Sequence, residues 1–258
     1  MKRAIVIGAT SGIGRETALL LAAKGYRVGI AGRRADRLEE VAAHYPDRMV
    51  TEVIDITGDD AGQRLLSLIE KTGGMDLYFH ASGIGFQNVD LDEAVELSTV
   101  STNGLGFTRM VGAAYRYMAA HGGGHIAAIS SIAGTKGLGA APAYSATKAY
   151  QNTYLQALEQ QACIRRLNIR FTDIRPGFVG TDLLNGLTGY PMLLKKEKVA
   201  REIVWALEHR RHIRVIDWRW RIVTAGWRCI PNFIWRRLPL TAKTKKDCVY
   251  KELKDIPS

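Results

Sequence analysis

Cysteine is scarce: Cys163, Cys229 and Cys248 are the whole complement of a 258-residue chain. Three scattered thiols make neither a disulfide framework nor a zinc site, so a reducing compartment and no bound metal are expected. No stretch reaches the ~18 uninterrupted apolar residues of a membrane-crossing helix. The basic start Met1-Lys2-Arg3 precedes only Ala4–Ile7 before Gly8, too short an apolar segment for a signal peptide. The expectation is a cytoplasmic protein, soluble or peripheral at a membrane surface. No repeat, low-complexity tract or domain boundary interrupts the chain.

What is present suits one large α/β domain: 47% hydrophobic residues and 26 glycines leave no room for long disorder. The net charge of +11 is concentrated. Between His209 and Lys246 stand eleven Lys and Arg against Asp217 alone, a net +10.

The apolar run Lys2–Ile7 stops at Gly8 and is followed by Ala9-Thr10-Ser11-Gly12-Ile13-Gly14, then by a helical pattern to Gly25. Strand, glycine turn and helix in that order begin a βαβ unit. Its glycines let backbone approach a pyrophosphate, which the helix N-terminus attracts. A second strand, Arg27–Ala31, ends in Gly32-Arg33-Arg34. An acid there would bind ribose hydroxyls, whereas arginine accommodates a 2′-phosphate, so the residues favour NADP over NAD. Met49–Ile54 leads to Asp55-Ile56, where a carboxylate could meet an adenine amine or simply form a turn. Met75–Phe79 ends at His80-Ala81-Ser82-Gly83. Leu91–Arg116 reads as helix but carries Asn103, a poor helix former. His125–Ser130 leads to Ser131, and Asn168–Ile174 to Arg175-Pro176-Gly177-Phe178-Val179-Gly180-Thr181. Six apolar strands alternating with helices predict a doubly wound parallel sheet of the Rossmann type in three layers, with ligands over the strand C-termini.

Tyr144 and Lys148 lie on a helix predicted over Ala143–Ala162, four residues apart and hence on one face. An ammonium beside a phenol lowers its pKa and fits it for general acid–base work. Ser131 stands thirteen residues before Tyr144, where its hydroxyl could hold a substrate oxygen. Tyr250 and Lys254 repeat the spacing, but Arg237 occupies the serine's place.

With the Gly8–Gly14 turn, Asp55-Ile56, Asn103, the Ser131…Tyr144-x-x-x-Lys148 set and Pro176-Gly177 with Thr181 in that order, the chain resembles a single-domain short-chain dehydrogenase/reductase over about Lys2–Thr181. The resemblance implies that Asn103, Ser131, Tyr144 and Lys148 form a catalytic tetrad. Ser131 would polarise a carbonyl, Tyr144 would transfer the proton, and Lys148 would bind the nicotinamide ribose. Asn103 would hold a water that links the lysine to a proton relay. It further implies cofactor contacts at Gly8, Thr10, Ser11, Gly12, Ile13, Gly14, Arg33, Arg34, Asp55, Ile56, Ala81, Ser82, Gly83, Pro176, Gly177, Val179 and Thr181, and a homodimer or homotetramer through Leu105–Met118 and Tyr144–Ala162. His80 stands where the family usually has an asparagine, and a structural histidine is expected there.

The Rossmann-type catalytic domain is expected over 1–217, with a substrate loop at 182–200 and an extension at 218–258. Asp182–Met192 shows an apolar face of Leu183, Leu184, Leu187, Tyr190 and Met192. All five tryptophans lie between Trp205 and Trp235, interleaved with arginine after Trp218. That pattern suits either a helix at a membrane surface over 218–240 or a lid or subunit contact. Nothing else reads as a nucleic-acid module. The expected activity is NADPH-dependent interconversion of a ketone and a secondary alcohol on an apolar molecule. The alternatives are a dinucleotide-binding scaffold with a vestigial site and an NAD-dependent alcohol dehydrogenase.

Overall fold

A computed structural model describes residues 1–181 and 190–238. Seven strands run parallel in the order β3-β2-β1-β4-β5-β6-β7. They are β1 (Arg3–Ile7), β2 (Arg27–Gly32), β3 (Met49–Val53), β4 (Leu77–His80), β5 (Gly124–Ile129), β6 (Ile169–Arg175) and β7 (Ile213–Val215). The strand order reverses between β1 and β4, which opens a crevice at their C-terminal ends, the usual place for a ligand in this architecture.

Alternate residues of each strand feed opposite faces of the sheet. Val6, Ile30, Phe79 and Ile174 pack under α1 (Gly12–Ala23), α2 (Ala35–Ala42) and α7 (Lys196–Glu208). Ile5, Ile7, Tyr78 and Phe171 pack under α3 (Ala61–Thr72), α5 (Phe107–Ala120) and α6 (Pro142–Ile164). Both faces are therefore covered, and the three expected layers are present. α7 begins at Lys196, so the segment expected as loop to residue 200 ends earlier; residues 182–189, with Leu183, Leu184 and Leu187, lie outside the described residues.

The helix expected over Leu91–Arg116 is broken into three parts. α4 (Glu93–Val100), capped by the Asp92 carboxylate on Val95 N, runs into a π turn, Ser101–Gly106, and then into α5. The break has a local cause. The turn holds Asn103, Gly104 and Gly106, all poor helix formers, and a Cβ at Gly106 would lie 2.9 Å from Ile56 Cγ1.

The basic C-terminal segment forms α8 (Trp218–Cys229) and the single turn α9 (Asn232–Trp235). Trp220, Thr224 and Trp235 are buried against the body, whereas Trp218, Ile222, Phe233 and Ile234 are exposed.

Candidate active site

The Gly8–Gly14 turn joins β1 to α1 against the end of β4. Gly8 (φ +85°) and Gly12 (φ +56°) occupy left-handed backbone that L side chains rarely adopt. A Cβ on Gly8 would lie 2.6 Å from Ser82 N, and one on Gly14 would run into the Gly8 carbonyl. The turn thus packs directly on Ala81-Ser82. A Cβ on Gly12 would meet Thr181 Cγ2 at 3.3 Å, so the glycine turn and the last predicted cofactor contact lie against each other. Ser11 caps α1 without a side-chain hydrogen bond, and the first turn carries no acid. The N-terminal amides and dipole of α1 are left for an anion. These residues fit the pyrophosphate of a dinucleotide through main-chain groups; Ile13 is partly buried against the core and has only its backbone to offer.

Arg33 and Arg34 are exposed just beyond β2. Arg34 donates from Nη2 to Thr10 Oγ1 at 2.9 Å. Gly32 is constrained by the same threonine, because a Cβ there would lie 2.6 Å from Thr10 Cγ2. Asp55 Oδ1 accepts from the amide and hydroxyl of Thr57 at 2.9 and 2.7 Å, which hold the carboxyl below its usual range with help from nearby Arg33. The Ile56 side chain is buried and its carbonyl accepts from Arg109 at 3.3 Å, which leaves its backbone edge alone for a ligand.

Ser131 follows β5, and its hydroxyl accepts from Ala133 N at 3.1 Å. Tyr144 stands in the first turn of α6, just after Pro142, whose fixed φ suits a helix start. Lys148 follows one turn later, with Nζ 5.7 Å from the Tyr144 ring centroid. Gly85 lies against the tyrosine: a Cβ there would be 2.6 Å from Tyr144 Cε2. Asn103 is fully buried. It clamps the loop after β4 by donating to Ile84 O at 2.7 Å and accepting from Ile84 N at 2.9 Å. Gly83 shares this space, since a Cβ there would lie 3.1 Å from Asn103 Oδ1 and 3.6 Å from Lys148 Nζ.

The electrostatics depart from the simple tyrosine–lysine expectation. Burial pushes the Tyr144 phenol up, while the Ser131 hydroxyl beside it works the other way. Lys148 is lowered to about 8 by burial, against the attraction of Asp173. Its Nζ donates to Ile129 O and to Gln151 Oε1, each at 3.0 Å. Gln151 Nε2 donates in turn to Asn103 O at 2.8 Å. A side-chain amide therefore joins the two groups between which the family resemblance implies a water. Below Lys148, Asp173 is held by Ser130 Oγ and by Arg175 Nε at 2.7 Å.

His80 is fully buried, with Nδ1 2.9 Å from the Tyr78 hydroxyl and its ring edge-on to Phe107 at 5.1 Å. Burial and the nearby Lys148 charge push it down to about 3. It is a neutral core group.

In the loop after β6, Phe178 stacks with Tyr190 at 4.4 Å and meets Trp220 edge-on at 5.6 Å. Gln87 Nε2 donates to the Tyr190 hydroxyl at 3.1 Å and ties the loop after β4 to that wall. Trp235 Nε1 donates to Gly137 O at 2.7 Å, and Lys136 Nζ donates to Ile230 O and Asn232 Oδ1 at 3.0 and 2.7 Å. The C-terminal helices hold the loop that connects Ser131 to Tyr144. Sequence reading missed Gln151, Gly85 and the contact of Gln87 with Tyr190, and it placed Trp220 in the C-terminal aromatic stretch without its seat against Phe178. Gln151 lies on the Lys148 face of its helix, but that spacing does not separate a buried amide from a solvated one.

The family model for short chain dehydrogenases matches residues 2–189. An oxidoreductase of Myxococcus xanthus (strain DK1622), described as uncharacterized, is 34% identical over 201 residues, 74% of this chain and 77% of that protein. A similarly described oxidoreductase of Staphylococcus aureus (strain MRSA252) is 32% identical over 83% of this chain and 94% of its own length. Among solved structures, an alcohol dehydrogenase from the archaeon Thermococcus sibiricus, complexed with 5-hydroxy-NADP, aligns with TM-score 0.76 at 23% identity over 84% of this chain and 96% of its own. A short chain dehydrogenase/reductase family protein aligns with TM-score 0.72 at 28% identity over 84% of this chain and 95% of its own. The chain belongs to the short chain dehydrogenase family and is an oxidoreductase of that family.

Proposed function

We propose that the protein is an NADPH-dependent reductase, reversibly a dehydrogenase, that interconverts a ketone and a secondary alcohol on an apolar molecule. The observation that carries this reading is the grouping of Ser131, Tyr144, Lys148 and Asn103 beside Gly83, at the open end of the glycine turn. The dinucleotide would supply the hydride in one direction and accept it in the other. Ser131 Oγ holds and polarises the substrate oxygen. Tyr144, whose phenol burial keeps protonated, gives that oxygen its proton in the reducing direction; in the oxidising direction its phenolate, favoured by the neighbouring Ser131 hydroxyl and Lys148 ammonium, takes the proton back. Lys148 would offer its amine to the ribose of the bound dinucleotide. Pro176, Gly177, Val179 and Thr181 would border the nicotinamide, and the Phe178–Tyr190–Trp220 wall would exclude water and favour apolar substrates.

Support for NADPH comes from Arg33 and Arg34 beyond β2, from Gly32 in place of an acid, and from the 5-hydroxy-NADP with which the archaeal neighbour is complexed. The test is a fluorescence titration with NADPH and, separately, NADH, followed by a ketone screen on wild type and Tyr144→Phe. NADPH is expected to bind more tightly, and Tyr144→Phe to bind it normally while losing about 10²- to 10⁴-fold in turnover. A Tyr144→Phe variant of full activity would sink the mechanism; preference for NADH would turn the search to alcohol oxidation. Binding of neither would favour a scaffold role.

Two association surfaces belong to the same proposal. Exposed Leu97, Val100, Leu105 and Tyr150 along α4, the π turn and α6 suit a homodimer or homotetramer contact. Exposed Trp218, Ile222, Phe233 and Ile234 stand among Arg221, Arg228, Arg236 and Arg237, which suits the surface of an anionic bilayer. Because Trp220 and Trp235 are buried in the body, surface substitutions test the second contact better than truncation. Trp218→Ser with Phe233→Ser should abolish pelleting with phosphatidylglycerol vesicles and leave the fold intact; unchanged pelleting would remove the membrane reading.

A further inference from the structure

We propose that Gln151 is a positioning residue for Lys148, its side-chain amide joining the lysine amine to the main chain of the π turn. Gln151 is fully buried and follows Lys148 by three residues on α6, so both side chains leave one face of the helix. The amide has a donor end and an acceptor end, and its two neighbours determine which is which. A carbonyl, Asn103 O, can only accept, so Nε2 faces it; the amine of Lys148 donates to Oε1. The π turn participates directly. The Phe107 amide, which an α-helix would donate to Asn103 O, goes to Thr102 O instead.

A lysine ammonium carries three N–H groups. Ile129 O and Gln151 Oε1 take two of them in fixed directions. The third is thereby aimed along the remaining tetrahedral direction, with Nζ only 3.6 Å from where a Cβ on Gly83 would stand, at the floor of the crevice. An amide does not titrate across neutral pH, so the protein end of any proton chain through Lys148 stops at Gln151. The proton that Tyr144 transfers must then be exchanged from the crevice side. Gln151 also acts on charge: an acceptor beside a buried ammonium favours its protonated form. The other charged and titratable groups around Lys148 are Tyr144 on its own helix, His80 from β4, and Asp173 with Arg175 from β6. His80 is neutral and Asp173 is already paired with Arg175, so Gln151 is the hydrogen-bond acceptor on a side chain that Lys148 engages. The effect on catalysis rests on the role of Lys148 proposed above; the effect on its titration does not.

The experiment is a pH titration of Lys148 by NMR on the full-length protein carrying labelled lysine side chains, with the resonance assigned by its loss in Lys148→Arg. The wild-type midpoint is expected at about 8. Gln151→Leu should lower it by about one unit or more, because the ammonium loses a buried acceptor. Gln151→Glu, which restores an acceptor with charge, should raise it above wild type. A folded Gln151→Leu protein with an unchanged midpoint would overturn the proposal. Should Gln151→Leu fail to fold, the side-chain amide resonances of wild-type Gln151 decide: they must shift with the same midpoint as Lys148, and amide signals indifferent to that titration would equally overturn it. NADPH titration of the same samples separates this outcome from the proposed activity, because loss of cofactor binding would leave the lysine titration readable.

Discussion

Trp220 fills the place where a side chain on Gly177 would begin: a Cβ built there meets indole Cδ1 and Cε2 at 2.5 Å. The C-terminal helix is thereby seated on the Pro-Gly turn beside the proposed nicotinamide site. Gly177→Ala cannot be absorbed by a flexible chain end, since the obstacle is a buried aromatic ring. We expect a loss of about 1–3 kcal/mol in stability, a changed tryptophan emission as α8 moves, and weakened cofactor binding. Denaturant unfolding with fluorescence detection and an NADPH titration check all three; an unaltered emission maximum would show that the ring does not depend on the turn.

Cofactor choice should prove harder to reverse than a single substitution suggests. On the proposed NADPH reading, Arg33→Asp removes a charge-assisted contact to the 2′-phosphate worth about 1.5–3 kcal/mol, or about ten- to a hundredfold in Kd. Gly32→Asp places the acid at the strand end but drives its Cβ into Thr10, 2.6 Å from Cγ2. It should gain NADH affinity only when Thr10 is cut back to glycine in the same chain. Parallel titrations of the single and double variants decide between these outcomes, and equal NADH affinity in both would mean that Thr10 simply steps aside.

The buried imidazole of His80 makes the fold acid-sensitive. Its pKa is about 3 in the folded chain, against an ordinary 6.5. Between those values the unfolded chain binds the extra proton, so stability present above pH 6.5 is lost as pH falls toward 3, at up to about 1.4 kcal/mol per unit. His125, pushed down to about 4 chiefly by burial, adds in the same direction. His80→Asn should flatten the fall in unfolding free energy between pH 6.5 and 4, read from urea midpoints at several pH values. Identical slopes for variant and wild type would remove His80 as the cause.

The sheet was legible because each strand is a short apolar run that ends in a glycine or polar loop, a pattern that local sequence carries in full. Boundaries moved by a residue or two where main-chain pairing, not hydrophobicity, decides: β4 runs Leu77–His80 and includes the histidine that pairs with Tyr78. The grouping of Ser131, Tyr144 and Lys148 was legible from spacing and element order. Gln151 was not, because a polar residue on a helix reads as solvated until the element packed over it is known. The C-terminal pattern was legible only in outline. Trp218-Arg219-Trp220-Arg221 looks uniform in sequence, yet two residues of helical rotation separate a buried ring at Trp220 from an exposed one at Trp218.

The π turn between α4 and α5 has a consequence for how the chain can vary in length. One surplus residue puts the two helices out of phase by about 100°, and Asn103 stands where the phase changes. Deleting Gly104 would let α-helical pairing run through unbroken and would remove a glycine and a poor hydrogen-bonding geometry together, a local gain of about 1 kcal/mol. The same deletion rotates Asn103 relative to α5 and parts it from Ile84 and from the Gln151 amide. Asn103 and Gln151 are buried, and each polar group left unpaired there costs about 1–3 kcal/mol. The melting temperature and the turnover of this one-residue deletion should therefore fall together: the surplus residue sets the aim of a single side chain on which the packing also depends.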